Sequence, residues 1–302
     1  MAYPTPQVTN TTAAVFIPEI WSDEVIAAYK SNLVAANVLK KMSFKGKKGD
    51  VIHIPKPTRG TPSVKVSEAP VTLIADTETE VLVPIDKHYE YSRFIEDITE
   101  VQALSSMRRF YTDDAGYSLA KQVDTDLVQL GRVMNGGDGT NAYDAGYTGL
   151  DGTTLYDGSN AAALTDIAVR NVIQKLDDQD VPTSGRFFLV PPAARNTLLG
   201  LDRYTAMDSV GEAGSSNSIR NGHIGNLYGI PVYVTSNADT ATGTDRVCLM
   251  GQKDAAVLVE QLGVRSQVQY KQDYLSTLYT SDTIYGVQAL REDSAFALVV
   301  PC

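Results

Sequence analysis

A chain of 302 residues, 43% hydrophobic and 8% aromatic, is long enough to bury a full core, and its length predicts about two domains. The formal net charge is −10, so the surface as a whole repels phosphate, which excludes condensation on nucleic acid by counterion release and argues against sequence-specific DNA binding. Two cysteines, Cys248 and Cys302, build no disulfide framework, the segment Met1 to Asn10 lacks the basic start of a signal peptide, and no run approaches the roughly 18 apolar residues of a membrane span.

The first residues, rich in Thr, Pro and Asn, read as an extended arm, and Ser22-Asp23-Glu24 supplies an N-cap and acidic first turn for a short helix. Residues 50–55 and 79–85 alternate as strands, the second with Val81, Val83 and Ile85 on one face and Glu80 and Leu82 on the other. Between them lies a connection carrying Pro55, Pro57, Pro62 and Pro70, unusually long for a compact domain. Its strand-like pieces at 64–66 and 71–73 favour a long two-stranded arm. An isolated hairpin is marginal in water, so the arm is expected to lie on a neighbouring subunit.

Val101, Leu104, Met107, Tyr111, Ala115, Leu119, Val123, Leu127, Leu130 and Met134 recur at the helical period. Thr99-x-x-Gln102 is a capping box and Asn135-Gly136-Gly137 a left-handed stop, so one helix of about 50 Å is predicted over 99–135. Residues 136–163 read as a Gly/Asp/Asn loop with a short hairpin. Thr165 caps a helix through Val169, Val172, Ile173 and Leu176. Arg186 to Val190 is a buried strand stopped by Pro191-Pro192, and Ala193 to Leu199 a helix. Residues 210–222 are a polar loop, and Ile230 to Thr235 and Val247 to Met250 are apolar strands. From Val264 onward come further strands, closing on Ala295 to Val300. No solenoid repeat is present. The class is α+β.

Chemistry-bearing motifs are sparse. His53, His88 and His223 are scattered without ligand spacing, and solvated or hairpin positions suit them better than metal or triad roles. Residues 137–142 match the dinucleotide fingerprint in letters, but they follow a helix where the fingerprint must follow a strand. There is no Walker motif, nucleophile elbow or H-E-x-x-H. The Asp-rich loop 136–160 fails the calcium pattern, and a hydrolase built on it would lack a nameable nucleophile or base. Asp113-Asp114 and Asp177-Asp178 fall on predicted helices, where a solvated face is expected. No catalytic residue, metal or cofactor is expected.

Charge is distributed unevenly. Residues 30–65 hold Lys30, Lys40, Lys41, Lys45, Lys47, Lys48, Lys56, Arg59 and Lys65 against Asp50 alone, a local balance of +8 that leaves −18 for the rest of the chain. A solvated basic loop is the plain reading. An RNA-binding loop is weaker, because only Phe44 is available for stacking. A basic arm docking on an acidic neighbour accounts for the charge, the arm and the helix together, with Lys56, Arg59 and Lys65 facing Glu96, Glu100, Asp113 or Asp114. Repeated heterologous contacts of this kind close into rings and shells.

The segments Phe16-Ile17-Pro18-Glu19-Ile20-Trp21-Ser22, Gly46 to Pro55, Gly116-Tyr117-Ser118-Leu119-Ala120 with Val123-Asp124, Phe187 to Pro191, and Gly225 to Ser236 occur here in an order that resembles the major capsid (coat) proteins of tailed bacteriophages with the Hong Kong 97 type fold. The resemblance covers nearly the whole chain. It implies an amino-terminal arm and short helix (1–45), an extended β-hairpin loop (46–90), a peripheral domain (91–165) with the spine helix, an axial domain (166–262), and carboxyl-terminal strands (263–302) completing the peripheral domain. It also implies pentamers and hexamers in an icosahedral phage head enclosing double-stranded DNA without sequence-specific binding. The virion would be assembled in the bacterial cytoplasm with a portal protein, with or without a decoration or cement protein, and with no membrane contact. Because the chain starts directly at the arm, a separate scaffolding protein is expected. The nearest rival is an encapsulin-like cellular shell, which would package an enzyme in place of DNA.

Overall fold

The computed structural model describes residues 34–56, 60–68, 70–71, 73, 78–97, 106–137, 147–201 and 225–302. The amino arm with its expected helix, the capping box at 99–102, Arg59, Glu100, His223, most of the 136–146 loop and the 210–222 loop lie outside the described residues.

Three sheets organise the chain. A six-stranded sheet has the order β5 (Tyr147–Thr148), β12 (Ala295–Val300), β9 (Arg246–Gln252), β6 (Arg186–Val190), β8 (Ile230–Val234) and β7 (Asn226–Leu227). A four-stranded sheet has the order β1 (Lys40–Ser43), β10 (Ala256–Lys271), β11 (Ser276–Ala289) and β4 (Lys87–Glu96). The third sheet is the hairpin of β2 (Val51–Lys56) and β3 (Thr79–Pro84). Short α1 (Ala35–Val38), long α2 (Ser106–Gln129), α3 (Asp166–Asp178) and α4 (Pro192–Leu199) complete the described architecture.

The six-stranded sheet is buried on both faces, which is why its central strands read as continuous apolar runs. Alternate residues serve two cores. Phe188, Val190, Cys248, Met250, Phe296 and Leu298 pack on the apolar faces of α3 and α4. Phe187, Leu189, Val247, Leu249, Ala297 and Val299 pack on α1, the end of α2 and the first residues of β10. Thr165 caps α3 as its sequence predicts, its Oγ1 accepting from Ala168 N at 3.2 Å. Asp177 and Asp178 are exposed, as expected of a solvated face, and Asp177 in addition accepts from the buried Arg186 guanidinium at 2.6 Å. A charge held inside a strand end needs a counterion, and the last turn of α3 supplies it.

β12 falls in the six-stranded sheet, pairing antiparallel with β9 and parallel with β5, so the carboxyl-terminal strands 263–302, expected to complete the peripheral domain, are divided between this sheet and the four-stranded one. All six of its residues are buried, so it requires cover on both faces, which only the sheet between the two cores provides. Conversely, β10 begins at Ala256 and belongs to the four-stranded sheet with β1 and β11, although residues up to 262 were expected in the other domain.

In the β10–β11 hairpin, β10 is buried at its root and exposed along its distal half, while β11 stays covered between β10 and β4. A strand of 16 residues spans about 50 Å, so this hairpin projects. Near its middle Arg265 donates to Asp282 at 2.7 and 2.9 Å, and His88 lies 3.3 Å from the same carboxylate. The Arg265 hydrogen bonds, with His88 adding to them against partial burial, hold the Asp282 carboxyl below the usual range. A lowered folded pKa adds stability above the unfolded value of about 3.9, and this is lost as pH falls through the folded value. Asp282→Asn is therefore expected to be less stable than the wild type at pH 7 and to converge with it in acid, as read by urea unfolding at pH 7 and near pH 2. A constant difference across that range would show that the charge of Asp282 contributes nothing.

Candidate assembly surfaces

The helix predicted over 99–135 is α-helical from Ser106 to Gln129 and continues as two 3-10 turns, Leu130–Arg132 and Met134–Gly136. Asn135 takes the left-handed conformation (φ 56°) anticipated at the stop. Ala115, Leu119, Leu127 and Met134 of the predicted stripe are buried. Burial then broadens beyond the stripe: Asp124, Asp126 and Val128 are buried as well, because α1, β4 and β11 pack around the second half of the helix.

Buried acids demand donors, and these tie the helix to its surroundings. Asp124, fully inaccessible, accepts from Ala35 N at 2.8 Å and from Asn237 Nδ2 at 3.0 Å, joining α1 to the segment after β8. Asp126 accepts from Tyr285 OH at 2.7 Å and Gln122 Nε2 at 2.9 Å, with Lys87 Nζ at 3.2 Å, which fastens the helix to β11 and β4. Burial, then the hydrogen bond to Asp126, raises the Tyr285 phenol well above its ordinary range. Arg132 donates two 2.8 Å bonds to Asp239 and one of 3.1 Å to Tyr147 OH, and Tyr147 OH also donates to Asp239. Sequence reasoning missed Asp126, Arg132 and Asp239. For Asp126 and Arg132 the signal available was a charged residue set beside an apolar helical stripe; Asp239 lies on the segment after β8, where spacing carries no such signal.

The arm is shorter as a ladder than expected. β2 and β3 pair from Val51↔Pro84 to Lys56↔Thr79, closed at the base by Ile85 N donating to Asp50 O at 2.8 Å. Val83 is buried and Leu82 exposed, as the alternation predicts. Beyond Thr79 and Lys56 the strand-like pieces at 64–66 and 71–73 form no strand among the described residues. The flanking prolines remove ladder donors, and no described strand lies beside them. Val64, Val66, Val71 and Leu73 are 65–90% exposed.

Lys56, Lys65, Glu96 and Asp113 are exposed and Asp114 is half-buried. No ion pair joins Lys56 to any acid among the described residues. Lys65 Nζ donates to Val66 O at 2.8 Å, and Asp114 accepts from Tyr91 OH at 3.2 Å. Part of the basic segment is answered within the subunit: Lys40 pairs with Asp254 (3.1 Å), Lys45 with Glu260 (3.8 Å), and Lys47 stands over the Phe44 ring. His53 sits on the hairpin, 2.9 Å from Glu80. In the Asp-rich loop, Asp151 accepts from Thr153 N and Thr154 N, and Asp157 from Ser159 N. These are local turns, and among the described residues no three His, Cys, Asp or Glu side chains form a metal cluster. No helix among them is long and apolar enough to cross a membrane.

A family model described as phage capsid protein matches residues 94–298. Among solved structures, the chain is similar to one from Mycobacterium phage Che8, with 23% identity, 94% of this chain and 97% of that chain covered, and a TM-score of 0.72. It is similar to the capsid of the cyanophage P-SCSP1u at 18% identity, with 99% of each chain covered and a TM-score of 0.75. The mature capsid of bacteriophage PhiM1 gives 15% identity, 94% and 92% coverage, and a TM-score of 0.71. No curated protein matches in sequence.

Proposed function

We propose that this chain, which belongs to the phage capsid protein family and is a major capsid protein of a phage shell with the Hong Kong 97 type fold, assembles as pentamers and hexamers stitched together by its β2–β3 arm. The observation that carries this reading is the arm's end, where Val64, Val66, Val71 and Leu73 stand 65–90% exposed on a segment with no core of its own. Four aliphatic side chains in one short stretch want cover, and a second copy of the chain supplies it at every repeat of the lattice. Lys56, Arg59 and Lys65 on the arm then face Glu96, Glu100, Asp113 or Asp114 of the adjacent subunit.

Each such ion pair is partly exposed and contributes about 0.2–1 kcal/mol. Their effect comes from repetition and from steering during docking, both of which salt screens within about 10 Å at 0.1 M. Assembly followed by light scattering is therefore expected to slow with added salt. Replacing Lys56, Arg59 and Lys65 together by Glu is expected to block or misdirect assembly while the subunit stays folded. Assembly of this triple variant at the wild-type rate, with the wild-type salt response, would sink the charge-docking reading and leave the family assignment untouched.

The protein's role is structural, without catalysis. A net charge of −10 suits an inner wall that encloses double-stranded DNA without gripping it, so that packed DNA can slide. A scaffolding protein and a portal are the partners this role calls for, with or without a decoration protein, and assembly takes place in the bacterial cytoplasm.

A further inference from the structure

The arm joins the subunit through two limbs of different stiffness. The returning limb is pinned. Val83 is fully buried against Val257 and Val259, and the carbonyl oxygen of Pro84 lies 2.2 Å from where a Cβ on Gly286 would be. The outgoing limb is free to bend: it turns through Gly46 (φ 80°) and Gly49 (φ 151°), neither with a neighbour within 4 Å of a Cβ position. Beneath it lies a cavity of about 250 Å³ lined by Phe44, Lys48, Ile52, His53, Ile85 and Gln261.

Besides the Glu260 carboxylate, 3.8 Å from Lys45 Nζ, a second β10 side chain reaches this limb and hydrogen-bonds its backbone. The β10–β11 register passes from Glu260↔Tyr285 to Leu262↔Ile284, leaving Gln261 opposite no residue of β11, and such a bulge re-aims the side chain it frees. Gln261 Nε2 donates to Lys47 O at 3.1 Å and to Gly49 O at 3.0 Å. Both partners are carbonyl oxygens, so only the amide nitrogen of the side chain can serve, and both of its hydrogens are used.

We infer that Gln261 is the positioning residue that sets the angle at which the β2–β3 arm leaves the subunit. It ties down the glycine-jointed limb while the Pro84–Gly286 contact fixes the other. The leverage is large: a swing of about 10° at the root moves the end of a six-residue strand by about 3–4 Å, enough to take an arm tip out of register with its seat. The inference rests on the reading that the arm docks on a neighbouring copy.

Gln261→Glu and Gln261→Ala test it on the full chain by two readouts. The first is hydrogen exchange at the amides of residues 45–53 in purified subunits, and the second is the yield and shape of assembled particles by electron microscopy. Exchange there is expected to accelerate about tenfold on loss of the two bonds, with the thermal midpoint unchanged and with Gln261→Glu affected at least as strongly as Gln261→Ala. The carboxylate fills the same space but opposes two carbonyl oxygens. Wild-type exchange in Gln261→Glu would overturn the inference, because it would reduce the side chain to packing. Accelerated exchange with particles of normal yield and shape would uphold the tie and overturn the docking reading instead.

Discussion

Asp124→Ala is expected to lower the thermal midpoint of the subunit by about 4–10 °C. The substitution strands the buried Ala35 N–H and takes one of two acceptors from the half-buried Asn237 amide, which keeps its bond to Thr125 Oγ1; both donors now end on a carboxylate with no solvent access. A buried donor left without a partner costs about 1–3 kcal/mol and a bond to a charged acceptor contributes about 1.5–3 kcal/mol, and with an unfolding entropy of about 2.1 cal/mol/K per residue each kcal/mol shifts the midpoint of a chain this long by about 1.6 °C. Asp124→Asn keeps the shape but turns one donor toward another, so it is expected to recover only part of the loss. Lys121→Ala, on the exposed face of the same helix, is expected to stay within about 0.5 kcal/mol of the wild type. Scanning calorimetry of the three variants checks the order. Equal midpoints for Asp124→Ala and Lys121→Ala would show that the spine helix is held by its apolar stripe alone.

Gly286→Ala is expected to abolish or grossly misdirect shell assembly, for a reason unrelated to helix stability. The new Cβ would meet Pro84 O at 2.2 Å, with the Pro84 carbonyl carbon at 3.1 Å and Ile85 Cα at 3.2 Å. All three are backbone atoms, so no rotamer change relieves the clash, and β3 must lift from β11. Val83 would then leave its place against Val257 and Val259, and the whole arm would tilt. The four-stranded sheet itself keeps its β10–β11 and β11–β4 ladders, so the subunit is expected to fold with reduced stability while particle yield by sedimentation collapses. Normal particles from Gly286→Ala would mean that the pose of the arm does not govern assembly.

Both effects concern joints between elements distant in sequence, where backbone approaches closely or a charge is enclosed. Such places are where one substitution acts at long range in a lattice, because every subunit repeats the same error. Surface charges on the arm behave differently, each adding little and acting through number.

The sequence by itself determined the elements whose residues face one core at a regular period. These include the alternation of β2 and β3, the apolar stripe of α2 to Met134, the Thr165 cap of α3, and the all-apolar runs of β6 and β9. It also located the left-handed stop at Asn135 and the concentration of basic residues before Lys65. Those features are local, fixed by spacing, caps and turn chemistry within a few residues. Tertiary structure alone decided which sheet took β12, since its Ala-Phe-Ala-Leu-Val-Val run is compatible with any strand buried on both faces. Tertiary structure likewise left 64–66 and 71–73 out of the arm's ladder, turned Asp124 and Asp126 from helix-surface residues into buried anchors, and brought Gln261 to the turn at Lys47–Gly49, more than 200 positions away in sequence. Contacts at that separation depend on which surfaces meet once loops have closed, and residue spacing within a segment carries no record of its distant partner.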